Sequence, residues 1–218
     1  MSSLLLLGFV VGMRHAVETD HVAAVASLAT RSGSTRHTML QGAAWGVGHT
    51  MTLFLVGSAV LLLDVVMPER LALGLEFAVG FMLIALGADV LRRLNRDRIN
   101  RGRVLDPLRQ AIASPGGFPL RALAVGLMHG MAGSAALILL TLQQVHSVAE
   151  GLAYIALFGI GSIAGMAALS ALIALPLRYS AHSFRGLHNG FQAMIGFATV
   201  ALGFGLVVRI ALFEGLFV

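Results

Sequence analysis

The stretch LLLLGFVVGMRHAVETDHVAAVASLA (residues 4–29) carries five ionisable side chains between two apolar runs. These side chains belong to Arg14, His15, Glu18, Asp20 and His21. A charged side chain near the centre of a bilayer costs roughly 2.5–3.5 kcal/mol on insertion scales, so ionisable groups there point to pairing or to function. The stretch therefore predicts a polar site inside a hydrophobic segment.

The composition of the whole chain is typical of a membrane protein. Of its 218 residues, 57% are hydrophobic and 11% are charged, whereas a soluble domain carries roughly a quarter charged residues. There is no lysine and no cysteine, which excludes a Walker A phosphate loop and a thiolate metal site. The arginines are expected to set membrane topology rather than to bind nucleic acid, because a soluble basic face is missing. No organic cofactor is expected.

Apolar segments long enough to cross a bilayer, about 17 to 25 residues, predict six spans. They cover residues 3–30, 38–63, 71–91, 120–142, 148–176 and 187–213. We therefore predict an all-α polytopic membrane protein with three parts. Residues 1–91 hold the first three spans, residues 92–119 form an arginine-rich loop with little regular structure, and residues 120–218 hold the last three spans.

The placement of the arginines predicts how the chain is oriented in the membrane. Twelve of the fifteen fall in the 92–119 loop, at Arg121, or in the two shorter loops that would lie on the same side. Arg70 and Arg209 fall on the other side, and Arg14 lies inside the first span. Because cytoplasmic loops are enriched in basic residues, the 92–119 loop is expected in the cytoplasm of a bacterial-type inner membrane, with both termini outside.

The two halves of the chain share three short motifs in the same order. GMRH (12–15) is similar to GLMH (126–129), WGVGHT (45–50) to FGIGSI (158–163), and GFMLIALG (80–87) to GFATVALG (196–203). The near-constant offset favours a duplication. Since each half holds an odd number of spans, the halves must insert in opposite orientations, which is the 3+3 inverted repeat of many secondary transporters.

The charged stretch of the first span has the composition of a metal site. Histidine and carboxylate without cysteine form a ligand set suited to Ni²⁺, Co²⁺ or Zn²⁺. Around a regular helix, however, Asp20 lies roughly 140° and His21 roughly 240° from His15, so a straight helix cannot aim all three at one ion. Either the helix is broken near residues 12–16, as in the ion sites of transporters, or only part of the set binds.

A polar plug is the alternative explanation of the same stretch. In it, Arg14 would form an ion pair with Glu18 or Asp20 and offset part of the cost of insertion. Such pairing accounts for the arginine and the carboxylates but leaves His15 and His21 unexplained. We therefore expect metal binding, with Arg14 as a supporting residue and Glu18 as a candidate additional ligand.

The second span offers a further histidine. His49 lies in GVGHT (46–50), where Gly46 and Gly48 would let another backbone approach closely. We predict His49 as the fourth metal-handling residue, with the two glycines as support. Two roles stay open for His129, that of a metal ligand and that of a structural partner. Glu76 is either a carboxylate on the access path or a group solvated at the membrane surface.

These motifs resemble those of the nickel/cobalt transporter (NiCoT) family. RHAVETDHVAA (14–24) resembles the family's H-x4-D-H signature, and GVGHT resembles its second motif, L-G-H-[ST]. HGMAGS (129–134) and FGIGS (158–162) make the chain most similar to the short, six-span UreH-type members. The resemblance covers most of the chain and implies transport of Ni²⁺ or Co²⁺ as substrate, with four metal-handling residues: His15, Asp20, His21 and His49.

The direction implied by the resemblance is uptake, because exporters of the wider superfamily often carry a His-rich cytoplasmic loop and residues 92–119 contain no histidine. Two alternatives stay open. An intramembrane metal-dependent hydrolase would use the same ligands to activate water, with Glu18 as general base, although we do not expect an enzyme. The second alternative is a non-transporting accessory protein for nickel-enzyme maturation, which would also need a metal site. An acyltransferase with an H-x4-D motif would need a folded acyl-donor domain, and no soluble stretch is long enough.

Overall fold

The computed structural model describes residues 2–31, 34–63, 68–100, 119–142, 147–183, 185–214 and 216, apart from the side chains of 2–5, 98, 100, 133–142, 181–183 and 185. Within this part of the chain there are seven α-helices, which confirms the all-helical class. They are α1 (Ser2–His15), α2 (Thr19–Ala29), α3 (Thr35–Leu63), α4 (Glu69–Asn100), α5 (Leu120–Leu142), α6 (Val148–Ser183) and α7 (Arg185–Leu212).

Four of the described helices have the length and composition of membrane spans. Four are long and apolar enough to cross a bilayer over Thr35–Leu63, Glu69–Asp97, Val148–Ser180 and Gly186–Leu212. Two shorter apolar helices, Leu6–His15 and Leu120–Ala132, lie where the first and fourth spans are predicted. Large apolar side chains on the outside of the helices are exposed, among them Leu55, Phe81 and Phe197. Length, composition and this apolar surface together indicate a membrane protein.

The first predicted span is two helices rather than one. α1 ends at His15, residues 16–18 form a turn, and α2 begins at Thr19. Glu18 has extended backbone angles (φ −63°, ψ 148°), which end one helical path before the next begins. The predicted break is therefore present, and at residues 16–18 it overlaps the predicted 12–16 only at Ala16. The backbone amides of Val17 and Glu18 bond the carbonyls of Arg14 and His15 at 3.0 and 3.1 Å, so α1 closes with a tight last turn.

The third predicted span continues beyond its apolar part. It was expected to end at residue 91, but α4 runs to Asn100. Residues 92–100 contain neither Gly nor Pro and include the good helix former arginine, so the helix outlasts the apolar run. The prediction of irregular structure is thus wrong for residues 92–100, and residues 101–118 of the predicted loop lie outside the described residues.

Glycines bring helices of the two halves into close contact. A Cβ atom on Gly12 of α1 would overlap the backbone carbonyl of Phe158 in α6, and one on Gly126 of α5 would overlap the carbonyl of Trp45 in α3. Small residues at such crossings let backbones approach in a membrane, where packing rather than water exclusion holds helices together. The core around these crossings includes buried Trp45 and Met166.

The last helix of each half, α4 in the first and α7 in the second, packs on its counterpart. A Cβ on Gly87 of α4 would meet the backbone oxygen of Gly196 in α7 at 2.6 Å, and one on Gly203 of α7 would meet that of Gly80 in α4 at the same distance. These four glycines lie in the GFMLIALG and GFATVALG motifs. The motifs that repeat in the sequence are therefore the surfaces at which the two halves meet.

Candidate metal centre

The break in the first span brings together histidines from three helices. His15 ends α1, His21 lies in the first turn of α2, and His49 lies in the middle of α3. The ring of His15 is centred 4.3 Å from that of His21 and 5.2 Å from that of His49. All three side chains are buried. One nitrogen from each lies within 4.8 Å of the other two, a spacing at which the three can share one ion.

Asp20 lies beside this cluster and joins a fourth histidine to it. Its Oδ1 accepts from the backbone amide and Nδ1 of His21, each at 2.9 Å. Its Oδ2 accepts from Nε2 of His129, on α5, at 3.0 Å. His129 is 1% exposed, and its ring is centred 4.3 Å from that of His21. Asp20, His21 and His129 form a second group with metal-ligand spacing.

The carboxylates of the motif contact histidines rather than the neighbouring arginine. Glu18 Oε1 lies 2.8 Å from Nδ1 of His15. Among the described side chains, no ion pair joins Arg14 to Glu18 or to Asp20. The polar plug weighed for this stretch is therefore not what the fold forms, and Arg14 instead lies exposed on the wall of a cavity.

That cavity, of about 990 Å³, gives access to the cluster. His15, Asp20, His21 and His129 line one part of it, whereas His49 is fully buried behind them. Glu76 also lines the cavity but belongs to neither group of candidate ligands among the described residues.

Three ring nitrogens in the cluster lack a hydrogen-bond partner within the described part of the chain. They are Nε2 of His21, Nδ1 of His49 and Nδ1 of His129, and all three are buried. A buried polar atom left unsatisfied costs about 1–3 kcal/mol, so it calls for a physical explanation. A bare imidazole nitrogen is the group that coordinates a transition metal, and an ion bound at Nε2 of His21 would satisfy that atom.

Gly46 and Gly48 allow close approach of two other helices, α6 and α5. A Cβ on Gly46 would lie 2.9 Å from Cα of Ile163 in α6, and one on Gly48 would overlap the carbonyl of Leu123 in α5. The broken first span is covered by α6, where a Cβ on Gly165 would lie 2.9 Å from the Met13 carbonyl. The two glycines thus place α3 between α5 and α6, and this position directs His49 at the cluster.

Trp45 is a neighbour of the cluster that the sequence reasoning did not single out. It is fully buried, and its ring is centred 5.2 Å from that of His21 and 5.5 Å from that of His129. Trp45 precedes His49 by four residues, a spacing that places two side chains on the same face of a helix. The sequence signal was therefore present within WGVGHT.

The chain is similar over nearly its whole length to a curated protein. It is 36% identical over 217 residues to the urease accessory protein UreH of Bacillus sp. (strain TB-90), an alignment that covers 99% of this chain and 95% of the relative. The name of that relative describes an accessory protein rather than an enzyme. No family model matches the chain, and neither does any solved structure.

Proposed function

The chain belongs to the UreH-type branch of the nickel/cobalt transporter family, and from this premise we propose that it carries divalent nickel across the inner membrane into the cell. Cobalt and zinc are the ions expected to compete. The observation that carries the proposal is the cluster of buried imidazoles at a broken helix beside a cavity. His15, Asp20, His21 and His49 are the proposed metal-handling residues.

The chemistry of the cluster fits a transition metal as cargo. Imidazole nitrogen suits Ni²⁺, Zn²⁺ and Cu²⁺, whereas Mg²⁺ and Ca²⁺ prefer oxygen ligands. A helix interrupted at membrane depth is tolerated where it lines a cavity or is covered by protein. Both conditions are met here, since α6 packs over the break and the cavity reaches His15 and His21.

We place the chain in the membrane as six spans in a 3+3 inverted repeat. A two-fold relation requires every contact between the halves to have a reciprocal one. The contact of Gly12 with Phe158 has its counterpart in that of Gly126 with Trp45, and each residue is related to its counterpart by an offset of 113 or 114 residues. The reciprocal glycine contacts of α4 and α7 follow the same rule with an offset of 116. This reciprocity supports the repeat.

The orientation proposed, with the arginine-rich segment in the cytoplasm and both termini outside, is supported by one ion cluster. Oδ2 of Asp89 lies 2.6, 3.3 and 3.4 Å from nitrogens of Arg31, Arg93 and Arg121, which come from three segments predicted to be cytoplasmic. Arg209, predicted on the other side, instead forms an ion pair with Glu76 and lines the metal cavity. A cavity reached from outside fits uptake.

Uptake of radioactive nickel into vesicles containing the purified protein tests the proposal. The wild-type protein should accumulate nickel, and His49→Ala should not. His37→Ala is the matched control, because His37 lies on the same helix outside the cluster, and this variant should accumulate nickel normally. Failure of folded wild-type protein to accumulate any divalent transition metal would overturn the transport proposal.

A second candidate function is that of an accessory protein that binds nickel for enzyme maturation without transporting it. The printed name of the UreH relative favours it. The same experiment separates the two functions, because an accessory protein would bind nickel through His15, His21 and His49 but would leave the metal content of the vesicle interior unchanged.

A further inference from the structure

We propose that the ion is coordinated by imidazole nitrogen alone, from His15, His21 and His49, and that Asp20 and Glu18 are positioning residues. This inference rests on the proposed function, since it describes how the same cluster holds its cargo. The H-x4-D-H signature suggests that the aspartate is a metal ligand together with the histidines, whereas here Asp20 positions the histidine rings. The ring nitrogens that already take part in hydrogen bonds determine which nitrogens are left to bind the ion.

Asp20 determines which nitrogen of two histidines is free. Its carboxylate accepts from Nδ1 of His21 at 2.9 Å and from Nε2 of His129 at 3.0 Å. An ionised carboxylate is only an acceptor, so the hydrogen of each ring sits on the nitrogen facing Asp20. The lone pair is then on Nε2 of His21 and on Nδ1 of His129. These are the two atoms of those rings that are buried without a partner.

Glu18 acts in the same way on His15. Its Oε1 lies 2.8 Å from Nδ1 of His15, which leaves the lone pair of that ring on Nε2. This Nε2 lies 3.2 Å from Nε2 of His49. Two nitrogens that each lie about 2.0–2.1 Å from one ion are roughly 3.0 Å apart at a right angle and roughly 3.4 Å apart in a tetrahedron. The observed separation falls between those values, so the pair is spaced as two ligands of one ion.

The arrangement corresponds to carboxylate–histidine–metal chains, in which the outer acceptor fixes the ring and raises the basicity of its free nitrogen. It also separates charge from coordination. The negative charges of Asp20 and Glu18 lie one ring away from the ion and compensate its charge, while the contacting atoms stay nitrogen. An all-nitrogen set discriminates against Mg²⁺ and Ca²⁺, which are bound by carboxylate and carbonyl oxygen.

X-ray absorption at the nickel edge tests this in the full-length protein purified in detergent with one equivalent of Ni²⁺. The wild-type spectrum should show imidazole outer-shell scattering from three rings and no carboxylate carbon. In Asp20→Asn, an amide oxygen can accept from one ring while the amide NH₂ faces the other. Nickel affinity should then fall about 10- to 100-fold, as is typical for loss of an outer partner, and the imidazole count should fall below three.

Asp97→Asn is the control, because it removes an exposed carboxylate on the same polypeptide away from the cavity, and both affinity and spectrum should be unchanged. A carboxylate carbon in the wild-type spectrum that disappears in Asp20→Asn would overturn this inference but not the proposed function, because nickel would still be bound. Absence of nickel binding by folded wild-type protein would instead overturn the proposed function. If Asp20→Asn does not fold, the wild-type spectrum decides alone, together with the expected failure of excess Mg²⁺ or Ca²⁺ to displace nickel.

Discussion

Nε2 of His15 and Nε2 of His49 lie 3.2 Å apart in the buried interior, although the two residues belong to different helices and are separated by 34 positions in the sequence. Two neutral rings at this distance have one hydrogen between them, or one ion. The contact joins the RHAVETDHVAA and GVGHT motifs in one site. Metal binding should therefore depend on histidines of both motifs.

Replacement of His49 should abolish nickel binding as completely as replacement of His21. Both rings belong to the group whose nitrogens lie within 4.8 Å of one another, so loss of either leaves two ligands. Titration calorimetry should show affinity reduced by more than about 100-fold in His49→Ala and His21→Ala, beyond the range typical of an outer partner. His37→Ala should bind as the wild type does. Wild-type affinity in folded His49→Ala would mean that the two motifs do not share one site.

Nickel binding should weaken as the pH is lowered. Imidazole coordinates a metal only when it is neutral, and its ordinary pKa is about 6.5. Protonation at low pH therefore competes with the ion, and affinity should decrease steadily as the pH falls toward about 6 and below. Calorimetry over a pH series measures this, with the release of protons on binding as a second signal. Affinity independent of pH would contradict imidazole coordination.

Selectivity should follow the imidazole nitrogen donors of the cluster, which includes no sulfur ligand. Ni²⁺, Co²⁺ and Zn²⁺ should displace one another, while Cu(I), which prefers thiolate and thioether ligands, should compete poorly. Competition can be followed by the loss of bound radioactive nickel as each ion is added, with Cu(I) kept reduced. Tight Cu(I) binding at the same site would be incompatible with this ligand set.

How much of this site the sequence could predict depends on distance along the chain. The angles between His15, Asp20 and His21 could be worked out because those residues are close in sequence, and they predicted either a broken helix or binding by only part of the set. The place of the break depended on local hydrogen bonds of Val17 and Glu18, which no periodicity encodes. The contact of Asp20 with His129 spans 109 positions and forms only when the folded chain brings α5 beside the start of α2.

Trp45 should report metal binding by fluorescence. It is the only tryptophan of the chain, and its ring is centred 5.2 Å from that of His21. The open-shell ions Ni²⁺ and Co²⁺ at the cluster should quench its emission, while the closed-shell ion Zn²⁺ should not. Quenching should saturate at one ion per chain and be lost in His49→Ala. Quenching that persists in that variant would place the ion elsewhere.

The glycine crossings should be intolerant of any side chain. In Gly126→Ala the added methyl would overlap the carbonyl of Trp45, so thermal stability should fall, by about 1–3 kcal/mol for an overpacked contact. Gly74→Ala is the matched control, because a Cβ on Gly74 of α4 meets nothing within 4 Å. Alanine there should be neutral or stabilising by up to about 1 kcal/mol, since it is the better helix former. Equal effects of the two changes would contradict the packing described.

The orientation of the chain can be tested with single cysteines, because the natural sequence has none. The clustering of Arg31, Arg93 and Arg121 on Asp89 places three arginine segments at one end of the molecule, and basic segments stay in the cytoplasm. Ser147→Cys, at an exposed residue directly before α6, should therefore react in intact cells with a maleimide that cannot cross membranes. Arg101→Cys should react only after permeabilisation, and a reporter fused after Val218 should be periplasmic. The three positions together show whether an odd or an even number of spans separates them. If residue 101 and the C-terminus lie on the same side, the second half does not cross the membrane an odd number of times. The inverted repeat must then be abandoned even if nickel binding at His15 and His49 is intact.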